Sequence, residues 1–232
     1  MFTDTPSKAA GHGDRLYFEG AIFDLDGTLL DSMSMWRTLL ENALLRNGVF
    51  PEPFLSMNIW GKNAEFRESY IVDRYGLNIG FSELISEDPE YINEFYRNKA
   101  VPKPGALDFL DRLKSAGVKI ALATATPLIY MESALEKYGI IKYLDVILTT
   151  KDIGVGKNKP DIYDISCQRL HVSKDKAIIF EDANYAIKTA KLNGYHVIAI
   201  DDYWQFRKRQ ENIDLADKFI TDWSEVYSLI RI

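Results

Sequence analysis

The stretch that most constrains this chain is Gly20-Ala-Ile-Phe-Asp24-Leu-Asp26-Gly27-Thr28-Leu29-Leu30-Asp31-Ser32, an apolar run that stops abruptly at two carboxylates and a turn. Ala21, Ile22 and Phe23 carry no polar atom on their side chains, as a short strand covered on both faces of a parallel sheet requires. The carboxylates then fall at the strand's carboxyl end, the edge at which open α/β sheets bind ligands. Asp24 and Asp26 are two residues apart, so alternation aims them the same way, and Gly27 lets the chain turn directly after them. Like charges this close are tolerated in two ways. A divalent cation neutralises them, or one side chain attacks a substrate while the other carries a proton.

The remainder of the chain supplies an architecture for that strand. Its 232 residues suffice for one core domain carrying a smaller insert, and 47% hydrophobic with 27% charged residues reads as globular. A net charge of −6 argues against a general nucleic-acid or anionic-membrane binder, although a local basic pocket for one phosphate stays compatible with it. The single Cys167 cannot form an intrachain disulfide, and no apolar run approaches a membrane span, so the expected setting is the reducing cytoplasm. Residues 1–15 lack the apolar core of a secretory signal and read as a polar leader. Leu16 to Gly20 resembles a protease recognition site and is equally compatible with native strand.

After Ser32, the spacing of Trp36, Leu39, Leu40, Ala43 and Leu44 predicts a helix with Ser32 or Ser34 as N-cap and Asn47-Gly48 as its end. Asp31 reads as a further helix cap. From Pro51 to Pro104 the pattern stays helical: one segment carries Phe66 and Tyr70 and stops at Gly76, and another opens at Asp88-Pro89 and carries Ile92, Phe95 and Tyr96. Those aromatics and Trp36 read as the insert's own core. Val101-Pro-Lys-Pro-Gly105 is a stiff connector that ends the insert. Strand and helix then alternate, as in βαβ units. Strands are expected at Val118 to Ala123, Val146 to Thr149, Ala177 to Phe180, His196 to Ile200 and Phe219-Ile220. Helical stripes run through Leu107/Leu110/Leu113, Leu128/Met131/Leu135/Tyr138, Ile162/Ile165/Leu170 and Ala186/Ile187/Ala190, with a closing helix from Trp223 to Ile230.

Four polar clusters fall at the ends of these elements: Asp24/Asp26, Thr124, Lys157 in a glycine-rich loop, and Glu181/Asp182. Because parallel strands share one direction, these ends converge on one edge of the sheet. The carboxylates suit a hard cation, preferably Mg²⁺, which takes oxygen ligands and bridges protein carboxylates to phosphate. A threonine hydroxyl, backbone N–H groups at a helix start and a lysine ammonium suit the remaining phosphate oxygens.

Asp24-x-Asp26-Gly27-Thr28-Leu29, Thr124 after a strand, Gly156-Lys157-x-x-Pro160-Asp161-Ile162-Tyr163 and Phe180-Glu181-Asp182-Ala183 resemble, in this order, the four motifs of the haloacid dehalogenase superfamily. The helical insert resembles that family's cap of the first type, and the resemblance runs from about Phe18 to the end of the chain. It implies an α/β fold, a Rossmann-like core from residues 16–31 and 102–232, with a small helical cap inserted at 32–101. It implies further that Asp24 is a nucleophile forming an aspartyl-phosphate, while Asp26 protonates the leaving oxygen and then activates water. Thr124 and the Ala125 backbone would bind the phosphoryl group and Lys157 would neutralise it. Asp24, the Asp26 carbonyl, Glu181 and Asp182 would ligate Mg²⁺. The loop Trp60-Gly61-Lys62-Asn63 corresponds to the place where family members recognise the leaving group, making Lys62 and Asn63 candidates.

Two departures from the pattern matter. Asn158 replaces a proline, and Lys159 is a second lysine that takes the phosphate role if the loop register slips. Asp26 itself argues against the dehalogenases and phosphonate hydrolases, which lack it. The expected activity is Mg²⁺-dependent hydrolysis of a small phosphorylated metabolite. A sugar phosphomutase similar to β-phosphoglucomutase is the alternative, but those enzymes carry histidine where Trp36 falls, arginine where Ala64 falls and polar residues where Pro127-Leu128 fall. A silent binding module is the remaining class, and it would need a motif loss that the sequence does not show. Cys167 reads as a small buried residue, and His12, His171 and His196 have no partner nearby in sequence.

Overall fold

A computed structural model describes residues 16–59, 64–86 and 89–231. In chain order the elements are β1 (Leu16–Tyr17), β2 (Gly20–Phe23), β3 (Leu30–Asp31), α1 (Met33–Arg46), α2 (Leu55–Ile59), α3 (Ala64–Tyr75), α4 (Phe81–Ser86), α5 (Pro89–Asn98) and β4 (Val101–Pro102). There follow α6 (Ala106–Ser115), β5 (Lys119–Thr124), α7 (Leu128–Lys137), β6 (Val146–Thr149), α8 (Thr150–Ile153) and α9 (Asp161–Leu170). The chain ends with β7 (Ala177–Glu181), α10 (Asn184–Leu192), β8 (His196–Ile200), α11 (Arg209–Leu215), β9 (Lys218–Ile220), α12 (Val226–Leu229) and β10 (Ile230–Arg231).

Six strands form one parallel sheet in the order β6-β5-β2-β7-β8-β9, with β2 at its centre. Both faces are covered, so each strand feeds two cores by simple alternation. Ala21, Phe23, Ile120, Leu122, Ile178, Phe180, Ile198 and Ile200 point to one core, with Phe109 and Leu110 of α6 and Trp223. Ile22, Ala121, Ala123, Ile179, Val197 and Ala199 point to the other, against Ile162 of α9 and Ile187 of α10. Phe23 and Phe180 are register partners whose rings stack with centroids 4.5 Å apart, and Phe109 and Trp223 close over them. Among the described residues, no helix is long and apolar enough to cross a membrane.

The helical insert leaves and re-enters the sheet domain through paired crossings. Leu30-Asp31 of β3 pairs antiparallel with Val101-Pro102 of β4, so the connector at Val101 is half of a two-stranded hinge. Helices α1 to α4 build a core of their own from Leu40, Ala43, Leu44, Leu55, Ile59, Ile71, Phe81 and Leu84. Met35 and Leu39 of α1, with Ile92, Phe95 and Tyr96 of α5, instead join the core of the sheet domain, and α5 packs along α7. The helical insert thus has its own apolar centre and a second face seated on the sheet domain.

Several expectations are corrected. Asp31 is not a helix cap; it lies exposed in β3, because the backbone there is committed to pairing with β4. Ser32 occupies the N-cap position of α1 but makes no cap bond, since its hydroxyl is drawn to Asp26. Leu128 and Phe66 are exposed, not core, and Ala134 takes the buried place beside Met131 and Leu135. The closing helix from Trp223 to Ile230 is a short turn at Trp223–Glu225, then α12, after which Ile230-Arg231 pairs as β10 with β1. That pairing, and Phe18 packed edge-on against Phe180, make Leu16 to Gly20 part of the fold. Residues 1–15, the cap-loop candidates Lys62 and Asn63, and Asp88 lie outside the described residues.

Trp223 is almost fully buried against Phe23, Phe109 and Phe180, although it comes from a turn beyond the last sheet strand. Trp223→Ala should therefore cost about 3–5 kcal/mol of stability, the scale of emptying a large aromatic site, read as a lower midpoint in denaturant unfolding.

Candidate active site

The strand ends deliver their polar residues to a single cleft of about 550 Å³. Asp24 follows β2 directly and is buried, with its N–H bonded to the Phe180 carbonyl at 3.0 Å, which continues the sheet one residue past the strand. Gly27 then reverses the chain at φ +89°, where a Cβ would lie 2.6 Å from Oδ2 of Asp182. Only glycine fits here, both for its backbone angle and because the neighbouring carboxylate passes so close. Thr124 closes β5, Lys157 comes in from the loop after α8, and Glu181 and Asp182 end β7 beside β2.

The buried Lys157 ammonium donates to Asp24 Oδ1 and to Glu181 Oε2, the latter at 2.8 Å. Glu181 Oε1 accepts from the Ala183 N–H at 3.1 Å, so both of its oxygens are engaged. Asp182 accepts from Thr28 Oγ1 and from Gln205 Nε2, each at 3.3 Å, and Asn212 Nδ2 holds its carbonyl at 2.9 Å. Lys159 is exposed, so the loop register favours Lys157 as the lysine of the cleft.

Asp24, Glu181 and Asp182 offer carboxylate oxygens that all lie within 4.8 Å of one another, and all three are buried. Burial and then the charges of its neighbours push Asp182 well above the usual carboxylate range, and burial followed by Asp24 pushes Glu181 from its usual 4.5 up to about 7. Burial acts to lower Lys157, but Asp24 and Glu181 outweigh it, so the ammonium keeps its proton. Three carboxylates against one ammonium leave a surplus of hard oxygen donors with net negative charge, which fits a divalent cation.

Asp26 has a different environment. Its Oδ1 accepts from Ser32 Oγ at 2.6 Å and from the Tyr96 hydroxyl, and its Oδ2 accepts from Thr126 Oγ1 at 2.6 Å. Burial, then the Asp24 charge, raise its pKa, while the three hydroxyls pull it back. The Thr126 N–H donates to Thr124 Oγ1 at 3.0 Å, fixing the hydroxyl of the second motif.

The cleft walls include residues that sequence reasoning did not assign to a site. Trp36 and Arg37 of α1 face Asn184 and Tyr185 at the start of α10, and Trp204, Gln205, Arg207 and Lys208 come from the segment after β8. Tyr96, Ser32 and Thr126 were also unassigned. Thr126 had a signal, two residues past Thr124 in the same turn; Tyr96 had none, because an amphipathic helix buries a tyrosine for packing as readily as for its hydroxyl.

The family model for haloacid dehalogenase-like hydrolase matches residues 18–194. The chain is a haloacid dehalogenase-like hydrolase. Validoxylamine A 7'-phosphate phosphatase of Streptomyces hygroscopicus subsp. limoneus is 30% identical over 210 residues, which cover 90% of this hydrolase and 96% of the relative. Hexitol phosphatase A of Escherichia coli is 28% identical over 79% of the chain and 83% of its own length. Among solved structures, that of CbbY from Rhodobacter sphaeroides in complex with phosphate superposes with a TM-score of 0.74 at 22% identity, covering 91% of this chain and 99% of that one, a likeness of fold.

The carboxylate cluster gives this hydrolase a pH signature. Glu181 and Asp182 have raised values in the folded state, so without metal the fold binds more protons than the unfolded chain. Metal-free protein should then lose stability as pH rises from about 4.5 towards about 7, because the carboxylates must ionise while buried and, secondarily, repel one another. Added Mg²⁺ should raise Tm more at pH 8 than at pH 5; an equal or smaller shift at pH 8 would contradict a cation site built from these carboxylates.

Proposed function

We propose that this hydrolase is a Mg²⁺-dependent phosphatase of a small phosphorylated carbohydrate or polyol, working through an aspartyl-phosphate. The observation that carries the reading is the division of labour between two neighbouring carboxyls. Asp24 is tied to Lys157 and set among carboxylates, whereas Asp26 is encircled by hydroxyl donors with its pKa raised by burial. The ammonium contact suits the first to attack, and burial suits the second to hold a proton, the pattern that separates nucleophile from acid.

In this reading a carboxylate oxygen of Asp24 attacks phosphorus. The P–O bond to the leaving group breaks, its electron pair stays on the ester oxygen, and that oxygen takes the proton of Asp26, so the alcohol departs neutral. Asp26, now a carboxylate, takes a proton from water as the water oxygen attacks phosphorus. The bond to Asp24 breaks, inorganic phosphate leaves, and both carboxyls return to their starting states. Lys157, the Thr124 hydroxyl and the backbone N–H of Ala125 hold the phosphoryl oxygens and counter the charge that develops on them. Asp24, Asp182 and the Asp26 carbonyl would hold Mg²⁺, with Glu181 adding charge and anchoring Lys157. When bound, the cation supplies positive charge that offsets both the carboxylates and the phosphoryl group.

The substrate class rests on the relatives, which act on a validoxylamine phosphate and on hexitol phosphates, and on the walls of the cleft. Trp36, Tyr185 and Trp204 offer aromatic surface, and Asn184, Gln205 and Arg37 offer polar groups, a combination suited to the C–H faces and hydroxyls of a carbohydrate. Trp36 in this wall, where a mutase carries histidine, favours the phosphatase over the mutase. Residues 32–101 act as the cap that closes over this substrate, and residues 16–31 with 102–231 act as the catalytic domain.

Phosphate release from a panel of sugar and polyol phosphates tests the class, with activity lost on chelation and restored by Mg²⁺. Asp24→Asn should keep the fold and lose all but about a hundredth of activity or less, since asparagine is not a nucleophile here. The two lysines separate cleanly. Lys157→Ala should lower kcat by about a hundredfold or more, the scale of removing one preorganised donor, while Lys159→Ala should leave kcat/KM nearly unchanged, with any effect fading as salt rises. Damage confined to Lys159→Ala would move the phosphate contact to that residue.

A further inference from the structure

We propose that Tyr96, on cap helix α5, is a positioning residue for Asp26, so that the cap carries part of the acid–base machinery as well as shaping the substrate pocket. The inference rests on the reading of Asp26 as the proton donor.

Asp26 is held by three hydroxyls from three separate parts of the chain: Ser32 at the hinge, Thr126 after β5 and Tyr96 in the cap. Serine and threonine hydroxyls swing on a single bond and can serve other acceptors. Tyr96 cannot. Its ring is fully buried in the shared core, edge-on to Phe95 with centroids 6.1 Å apart. Its oxygen accepts the Trp36 indole N–H at 3.0 Å, so that site is filled by a donor and its one proton is left for Asp26. The chain Trp36 to Tyr96 to Asp26 therefore runs one way, from the cap into the catalytic domain. Trp36 also lines the cleft, which puts substrate contact and acid placement on one hydrogen-bonded line.

A proton donor works only within hydrogen-bond reach of the oxygen it protonates, and small displacements of such a group are costly. Without the Tyr96 hydroxyl, Oδ1 keeps only the Ser32 donor and Oδ2 the Thr126 donor, so the carboxyl loses the one partner whose oxygen is fixed by a buried ring. The effect is confined to reactions that need the proton. An alkyl phosphate expels an alkoxide that must be protonated as it leaves. p-Nitrophenyl phosphate expels a stable phenolate that need not be.

The test is kcat/KM, which reports the steps up to departure of the alcohol, for glucitol 6-phosphate and p-nitrophenyl phosphate in the full-length Mg²⁺ enzyme. Tyr96→Phe keeps the ring and its packing. It should lower kcat/KM for the alkyl substrate by about ten- to a hundredfold, and for the aryl substrate by less than about threefold. Phe95→Leu, which disturbs the same helix without touching the hydroxyl, should lower both by one common factor. Equal losses on the two substrates in Tyr96→Phe, or no loss on either, would overturn the proposal. Should Tyr96→Phe melt below the assay temperature, the same two substrates are compared at a lower temperature at which its circular dichroism matches the parent's, and the same outcomes decide. Asp26→Asn separates this inference from the reading beneath it. A strong bias against the alkyl substrate in Asp26→Asn but not in Tyr96→Phe sinks the role of Tyr96 alone, whereas no bias in Asp26→Asn sinks Asp26 as the donor.

Discussion

Everything at the carboxyl edge of this sheet depends on how three buried carboxylates are kept together. Asp24, Glu181 and Asp182 arrive on adjacent strands β2 and β7, so the sheet's register, not any attraction among them, makes them neighbours. Lys157 is the partner the chain provides, reaching between Asp24 and Glu181 from a loop that must be pulled inward for the purpose. Breaking such a buried pair strands an uncompensated charge, so the arrangement is costly to build and costlier to dismantle. The stacked rings of Phe23 and Phe180, directly behind the two strand ends, supply apolar burial that holds the register while the charges oppose it.

Asp26 escapes that crowd by a distance of two residues and one turn. Gly27 swings the chain away, and the carboxyl enters a ring of hydroxyls in place of a ring of charges. The two carboxyls therefore differ in their partners, an ammonium on Asp24 and neutral hydroxyls on Asp26, whose pKa burial and then the Asp24 charge raise while the hydroxyls pull it back. One of the neutral donors belongs to the cap. The paired strands β3 and β4 and the shared packing of α1 and α5 on the sheet domain bring it there, so the crossing between insert and sheet is close to Asp26 in space as well as in sequence.

How much of this can be read from the sequence follows from which interactions are local. Strands of a covered parallel sheet announce themselves as short, mainly apolar runs, which is why Val146–Thr149 and His196–Ile200 coincide with expectation. Asp24, Thr124, Lys157, Glu181 and Asp182 are legible as a convergent group because parallel strands impose a common edge. The ring around Asp26 is not legible in the same way. Tyr96 lies 70 positions away, at a helical spacing that packing alone explains, and Ser32 looks like a helix cap because it occupies the cap position while bonding elsewhere. The segment Trp204 to Lys208 lacks any periodicity, and only the return of the chain over α1 after β8 turns it into a wall of the cleft. The sequence marks Trp223 only as the start of a closing helix; it lies in a short turn, and the packing that buries it against Phe109 and Phe180 is not local in sequence.

The same contrast explains why the two halves of the site answer to different constraints. In the proposed mechanism most residues that meet the phosphoryl group sit at strand ends, where backbone pairing over-determines their place, with Lys157 reaching in from a loop, and a group that must fit one unchanging anion benefits from that rigidity. The residues that would meet the leaving group in that mechanism line the cleft from α1, from the start of α10 and from the segment after β8, where side-chain contacts can be altered one at a time. As the proposed proton donor, Asp26 would stand between the two, because the oxygen it would protonate belongs to the phosphate ester and to the leaving group at once. A carboxyl at that boundary has to be registered to both, and the hydrogen bonds from Thr126 on the sheet side and Tyr96 on the cap side are the means by which this chain does so.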